Sequence, residues 1–194
     1  MVLLSGRLMK MITDTDIMLL VQAGEVVHFG LLVERYRKRL LRFALSKVGY
    51  RDVAEDLVQE AFLAAFKARM SYRPTFAFST WIWTILINLS RRYHRSVAVE
   101  ESGQLEIARS AVSIESGNLL TVLLDQEKQE QLRDWLNSLP EPQADAVRLR
   151  FFAELSFDEI ALTMNSSLSA AKVRVRKGLE RLAELARKAD FTAE

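Results

Sequence analysis

The sequence predicts an all-α protein built as two small helical domains joined by a flexible linker. Apolar residues recur at three- and four-residue steps along nearly the whole chain, and strand-like alternation is essentially absent. Only three prolines and seven glycines punctuate the 194 residues, too few breakers for a turn-rich β architecture. A chain of this length holds one or two domains, each able to bury a working core.

Thr13 or Asp14 caps a first helix carrying Ile17, Leu20 and Val21. A second runs from about Val26 to Val48, with Leu31, Leu32, Tyr36, Leu40, Leu41 and Ala44 on one side, and Gly49-Tyr50-Arg51 breaks it. A third covers about Asp52–Arg69. Ser71-Tyr72-Arg73-Pro74-Thr75 reads as a loop, because proline disfavours helix in the residue before it. A fourth helix spans about Ser79–Ser96, with Trp81, Ile85 and Leu89 read as core at four-residue spacing. From Val97 to about Leu119 the pattern decays among Ser, Glu and Gly, which marks a linker. Periodicity resumes over Asp125–Leu139, and Pro140-Glu141-Pro142 stops one helix and starts the next. Three more helices follow at about 142–152, 157–164 and 168–188. The domain reading is 11–97, a linker 98–118, and 119–190.

Composition removes several function classes. Apolar residues are 49% of the chain, yet charges break every apolar run well short of the roughly 18–20 residues a bilayer span needs, so no membrane insertion is expected. Met1–Lys10 lacks a basic segment ahead of an apolar stretch, so no signal peptide is expected and a cytoplasmic location follows; Met9 and Met11 leave a later start open. Zero cysteines exclude disulfides, thiol catalysis and thiolate zinc sites. With only His28 and His94, no metal site and no cofactor is expected. No nucleophile–base constellation or phosphate-cradling glycine loop is present, so the chain is not read as an enzyme. The net charge of +2 is unremarkable, but its distribution is uneven. Basic residues cluster at Arg35–Arg42, Arg91–Arg95 and Lys172–Lys188 while Glu100–Asp134 is mostly acidic, the asymmetry of a polyanion-binding protein.

Near the carboxy terminus, Ser156-Phe157-Asp158-Glu159 forms a capping box. The short helix it opens turns Ile160, Ala161 and Met164 inward and stops at Asn165, a residue that tolerates the left-handed conformation. Ser167 caps the next helix, whose buried side is read as Ala171, Val175, Leu179 and Leu182. A short capped helix, a tight turn and a basic amphipathic helix is the arrangement that lays a second helix in a DNA major groove. Ser169, Ala170, Lys172 and Val173 near its start are placed to meet base edges, and Arg174, Arg176, Lys177 and Arg181 to hold phosphates.

The stretch Leu139-Pro140-Glu141-Pro142-Gln143, Leu149-Arg150-Phe151 and Leu155–Ala161 resembles region 4 of extracytoplasmic-function sigma factors, a subfamily of the sigma-70 RNA polymerase factors. That resemblance implies a helix-turn-helix reading the −35 promoter element. The chain departs from the usual pattern at Asn165, where the family has glycine, and at Ser166, where it has an apolar residue.

In the other half, Asp52-Val53-Ala54-Glu55-Asp56-Leu57-Val58-Gln59-Glu60 presents one apolar and one acidic face. It is similar to region 2.2 of the same family. The resemblance implies that Asp52, Glu55, Asp56, Gln59 and Glu60 meet the β′ clamp helices of bacterial core RNA polymerase, setting orientation and encounter rate more than raw affinity. Phe76–Arg95 looks like regions 2.3 and 2.4, which open and read the −10 element. Aromatic faces beside cations suit strand separation, since stacking on an aromatic returns about 1–3 kcal/mol per unstacked base. Asn88 offers donor and acceptor to a base edge, while Arg91, Arg92 and Arg95 hold the backbone; Arg92 stands where many family members carry aspartate. Trp83 and Tyr93 are left open between core and nucleic-acid contact.

The resemblance covers about 14–95 and 127–185 in the family's order. It implies promoter DNA and core polymerase (β′ clamp helices and β flap) as partners, an anti-sigma factor that masks both modules, and a role in stress-responsive transcription. The alternatives are a free-standing helix-turn-helix regulator and a helical adaptor that binds proteins only.

Overall fold

The computed structural model describes residues 12–101 and 119–192, with side chains over 12–96 and 128–189. Helix α1, Asp14–Gln22, opens on Thr13, whose side chain accepts from the Asp16 amide at 3.1 Å while the Asp16 carboxylate returns to the Thr13 N–H at 3.3 Å. Helix α2, Phe29–Val48, follows a 3₁₀ turn at Val26–His28. It ends on Gly49, whose φ of 82° is the left-handed cap that glycine adopts without steric cost. Helix α3 is Arg51–Lys67 and helix α4 is Phe78–Glu101. These four pack as one bundle, with Ile17, Leu32, Phe43, Val58, Ile82 and Leu86 fully or nearly fully buried. Edge-to-face ring pairs bind it, Phe43 to Trp83 at 5.5 Å and Tyr36 to Phe78 at 5.4 Å.

Of the expected inner line of α4, Leu89 is buried, whereas Trp81 and Ile85 are not among the deepest side chains. The deepest side chains are Phe78, Ile82, Trp83, Leu86 and Ile87, so the buried stripe sits one to two positions away. Trp81 and Ile85 are half-buried, Trp81 being tilted against Tyr72 at 5.4 Å. The sequence around them is apolar on nearly every side, so periodicity alone did not choose the register. Helix α4 also runs to Glu101, past the expected end at Ser96 and into the expected linker; the rest of that linker, 102–118, lies outside the described residues.

Helix α5, Leu119–Ser138, leads to α6, Glu141–Phe151, which starts directly after Pro140 with Pro142 in its first turn. Helices α7, Phe157–Thr163, and α8, Leu168–Thr192, complete the second module. Along α8 the buried side is Ala171, Val175 and Gly178; Leu179, expected inside, is 40% exposed. Gly178 takes its place because α8 runs close against α6. A Cβ there would meet the Val147 Cγ2 at 2.6 Å.

The two modules are in contact. Helix α4 packs on α7, and α2 packs on α5 and α6. One continuous core runs from Leu40 and Phe43 of the first module to Leu149, Leu155 and Ile160 of the second.

Candidate functional site

The helix-turn-helix is built from its caps. Ser156 Oγ accepts from the Glu159 amide at 3.2 Å, and Glu159 Oε2 accepts from the Ser156 N–H at 2.8 Å. Helix α7 has only seven residues, too few to be stable alone, and is held by the burial of Ile160 and Ala161. Asn165 adopts φ 48°, and the Ser166 N–H closes the turn on the Ala161 carbonyl at 2.8 Å. Asparagine thus fills the role glycine usually has in this turn. Ser167 Oγ then accepts from the Ala170 amide at 3.1 Å and launches α8. On its outer face Ser169, Lys172, Val173, Arg176, Lys177 and Arg181 are exposed, while Ala170 and Arg174 are half-buried. Two of these cations already have neighbours: Arg176 lies 3.8 Å from Glu180, and Arg181 donates to Gln143 at 3.0 Å.

On α3, Asp52, Asp56, Gln59 and Glu60 are exposed and Glu55 is half-buried. Arg51 donates to Glu55 at 3.1 Å. Beside this polar strip lies an apolar groove of about 400 Å³ between α2 and α3, walled by Phe29, Val33, Leu41, Phe62 and Phe66, with Glu55 and Gln59 on its rim. The charge pattern of the sequence marked the strip but missed the groove, because its wall comes from two helices whose pairing is tertiary information.

Helix α4 divides its expected DNA-reading residues among several surroundings. Trp83 is 0% exposed and packs on Phe43, so the open choice between core and nucleic acid closes on core and the expectation of a DNA contact there is corrected. Tyr93 is half-buried against the His94 ring, their centroids 5.8 Å apart. Asn88 and Arg95 are exposed, and the exposed Arg92 pairs with Glu60 of α3. Asn88, Arg91, His94 and Arg95 together line a cleft of about 680 Å³ whose opposite wall is Leu136, Asn137 and Glu141 of the second module.

A charged cluster closes that cleft. Lys47 Nζ lies 2.7 Å from Asp145 Oδ1 and 3.5 Å from Glu141 Oε1. Arg91 reaches the same two carboxylates, Nη2 to Asp145 Oδ2 at 3.0 Å and Nε to Glu141 Oε1 at 3.4 Å. Arg148, fully buried, donates to Asn137 Oδ1 at 2.7 Å and to the Ser46 carbonyl at 3.2 Å. Desolvation lowers its pKa to about 10, against the partial opposition of Asp145 and Glu141. Burial also holds the His94 imidazole below its ordinary value, helped by the nearby Lys47 and Arg148 charges.

In the first basic stretch, Arg35–Arg42, three cations are engaged by other parts of the protein, while Arg37 and Lys38 are exposed. Arg35 donates to Asp14 at 2.7 Å, Arg39 holds the Ala153 carbonyl, and Arg42 reaches Glu154 at 2.5 Å and the Phe152 carbonyl at 3.2 Å. The paired Arg42 guanidinium holds the Glu154 carboxyl below its ordinary range. Charge clustering flagged these residues as polyanion-binding; three of them instead tie α2 to α1 and to the connection between α6 and α7.

Comparison with known proteins agrees with this architecture. The Sigma-70 region 2 profile matches residues 32–98 and the Sigma-70 region 4 profile matches residues 129–182. The ECF RNA polymerase sigma-E factor of Escherichia coli is 30% identical over 178 residues, which span 88% of this chain and 93% of that protein. Its counterpart in Haemophilus influenzae is 27% identical, spanning 88% of this chain and 94% of that protein. Among solved structures, the sigma factor RpoE of Bartonella quintana, in complex with the anti-sigma factor NepR, superposes with a TM-score of 0.59. It is 27% identical, covering 80% of this chain and 96% of that one. CnrH in complex with the cytosolic domain of CnrY shares the fold, with a TM-score of 0.71, 21% identity, and coverage of 90% of this chain and 97% of that one.

The paired regions define the class, a two-module factor of the sigma-70 type. The chain belongs to the extracytoplasmic-function sigma factors.

Proposed function

We propose that this protein binds bacterial core RNA polymerase and directs promoter-specific initiation as an alternative sigma factor under anti-sigma control. The observation that carries this is the presence, in one chain, of a capped helix-turn-helix and a separate bundle bearing an acidic strip beside an apolar groove. The domains are 11–97 and 119–190, with 98–118 as the joint that lets one molecule span two promoter elements.

Asp52, Glu55, Asp56, Gln59 and Glu60 dock on the β′ clamp helices, with the α2–α3 groove supplying the desolvated centre that a polar rim alone lacks. Ser169, Ala170, Lys172 and Val173 read −35 bases while Arg174, Arg176, Lys177 and Arg181 hold phosphates. Asn88, Arg91, Arg92, Tyr93 and Arg95 engage the −10 element, and the protein acts in the cytoplasm. It has no catalytic chemistry of its own; polymerase supplies the reaction.

Transcription from promoter fragments with purified core polymerase, with and without this protein, tests the reading. Specific transcripts that disappear with Asp56→Ala and Gln59→Ala are expected. Tight operator binding by the protein alone, with no transcript and no co-elution with core, would replace it by a free-standing regulator.

A further inference from the structure

Between α3 and α4 the chain makes an exposed loop whose shape begins in its own sequence. Pro74 presets the backbone of a tight turn, and the Phe76 N–H closes that turn on the Arg73 carbonyl at 3.1 Å. Every residue from Arg73 to Ala77 is exposed, Phe76 to 57%. A cation and an aromatic ring thus stand in solvent at the start of the helix whose later turns carry Asn88 and Arg95. Surfaces that take unstacked bases combine these two groups.

The loop is also held from outside. Tyr72, 5% exposed, donates its hydroxyl to the Phe76 carbonyl at 2.9 Å and lays its ring 5.4 Å from that of Trp81. With that proton committed, the Tyr72 oxygen accepts from Thr15 Oγ1 of α1 at 3.3 Å. Gln22, the last residue of α1, donates its amide nitrogen to two carbonyls, Arg69 at 2.8 Å and Tyr72 at 3.0 Å. Helix α1 is a firm anchor for these bonds, because Ile17, Met18 and Val21 are buried and Asp14 accepts from Arg35 at 2.7 Å.

We propose that Gln22 is a specificity-positioning residue for the −10 element: it touches no DNA and acts by fixing the Arg73–Ala77 loop through the Arg69 and Tyr72 carbonyls. The inference rests on the sigma reading above and gives α1 a part in base choice.

Base choice depends on where the loop stands before a base arrives. A loose loop re-packs around a wrong base, and ordering it around the right one costs affinity; a pinned loop does neither. The Gln22 amide suits the task because its two N–H groups match two carbonyls. Turned over, its oxygen would face both carbonyl oxygens, so the bonds also fix the side chain itself.

The test uses the full chain with core polymerase on a promoter it transcribes, each −10 base pair being substituted in turn and transcript yield compared. Gln22→Met keeps the length of the side chain and removes both donors. It is expected to weaken the base preference at one −10 position, or two adjacent ones, about fivefold, with the other preferences and core affinity within about twofold. Gln22→Glu sets carboxylate oxygens against the two carbonyls and is expected to lose at least as much at the same position. Exposed Pro74→Gly loosens the turn from its far side without touching the core. It is expected to weaken the same preference, so the test stands even if the variants at position 22 do not fold. Unchanged preferences in folded Gln22→Met overturn the assignment, and so does an equal fall at every position, which marks a purely structural bond. Absence of any wild-type transcript defeats the sigma reading, whereas wild-type transcription with unaltered preferences in the variants defeats this inference alone.

Discussion

Lys47 and Asp145, ninety-eight positions apart in sequence, meet at 2.7 Å with both side chains withdrawn from solvent. They join the middle of one module to the middle of the other. The consequences of that pairing, and of three other local arrangements, can be measured.

Removing one charge from this pair strands the other in the closed form. Lys47→Met alone leaves Asp145 paired with Arg91 and without its buried ammonium partner, and costs the closed form roughly 3–5 kcal/mol. Lys47→Met together with Asp145→Leu exchanges charge for apolar contact and recovers most of that loss. Urea unfolding midpoints of the single and double variants measure both effects.

His94 gives the closed form a pH dependence. Its folded pKa lies below the ordinary value of 6.5, so the unfolded chain binds more protons in that range. Its contribution is intact above about pH 6.5 and is lost as pH falls through the lower folded value. Lys47 and Arg148 oppose the imidazolium while Glu141 and Asp145 favour it. The urea midpoint is expected to fall between about pH 7.5 and about pH 5.5, and His94→Gln to flatten that fall.

Gly178→Ala is expected to destabilise although alanine is the better helix former by about 0.8–1 kcal/mol. The new methyl meets Val147 Cγ2 at 2.6 Å, and overpacking of this kind costs about 1–3 kcal/mol. Val147→Ala in the same chain makes room and restores the melting temperature, which thermal denaturation reads directly.

Lys177→Ala removes an exposed cation, read above as a phosphate contact, from the outer face of α8. Affinity for −35 duplex is expected to fall, and the slope of log affinity against log salt to shrink by about 1, because one phosphate contact fewer releases one counterion fewer. A salt titration by fluorescence anisotropy distinguishes this from a loss of base reading, which would leave the slope unchanged.

Much of the second module was legible in the sequence because its signals are local. The Ser156–Glu159 capping box, the left-handed Asn165 and the Ser167 cap each act within a few residues, and each stands as the residue types dictate. The register of α4 was harder: Trp81, Ile82, Trp83, Ile85, Leu86 and Ile87 are apolar on almost every side, and only the neighbouring helices decide which of them goes inward. The clasp was not legible at all. Asp145 sits between Ala144 and Ala146 with nothing local to identify its partner, although a lone acid within a buried apolar run is itself a cue that one exists. Gly178 in the interior of a long helix was a second cue, for close helix approach.

Half of the seam between the modules is written in main-chain atoms. Arg39 holds the Ala153 carbonyl, Arg42 the Phe152 carbonyl and Arg148 the Ser46 carbonyl. A carbonyl survives any substitution at its own residue, so positions 46, 152 and 153 are free to drift in descendants as far as these bonds are concerned. The bond between Lys47 and Asp145 has no such tolerance, since either partner can be lost by a single codon change. Heredity therefore acts unevenly on the two kinds of bond: among related chains, 47 and 145 are expected to vary as a pair, while Arg39 persists opposite a changing neighbour.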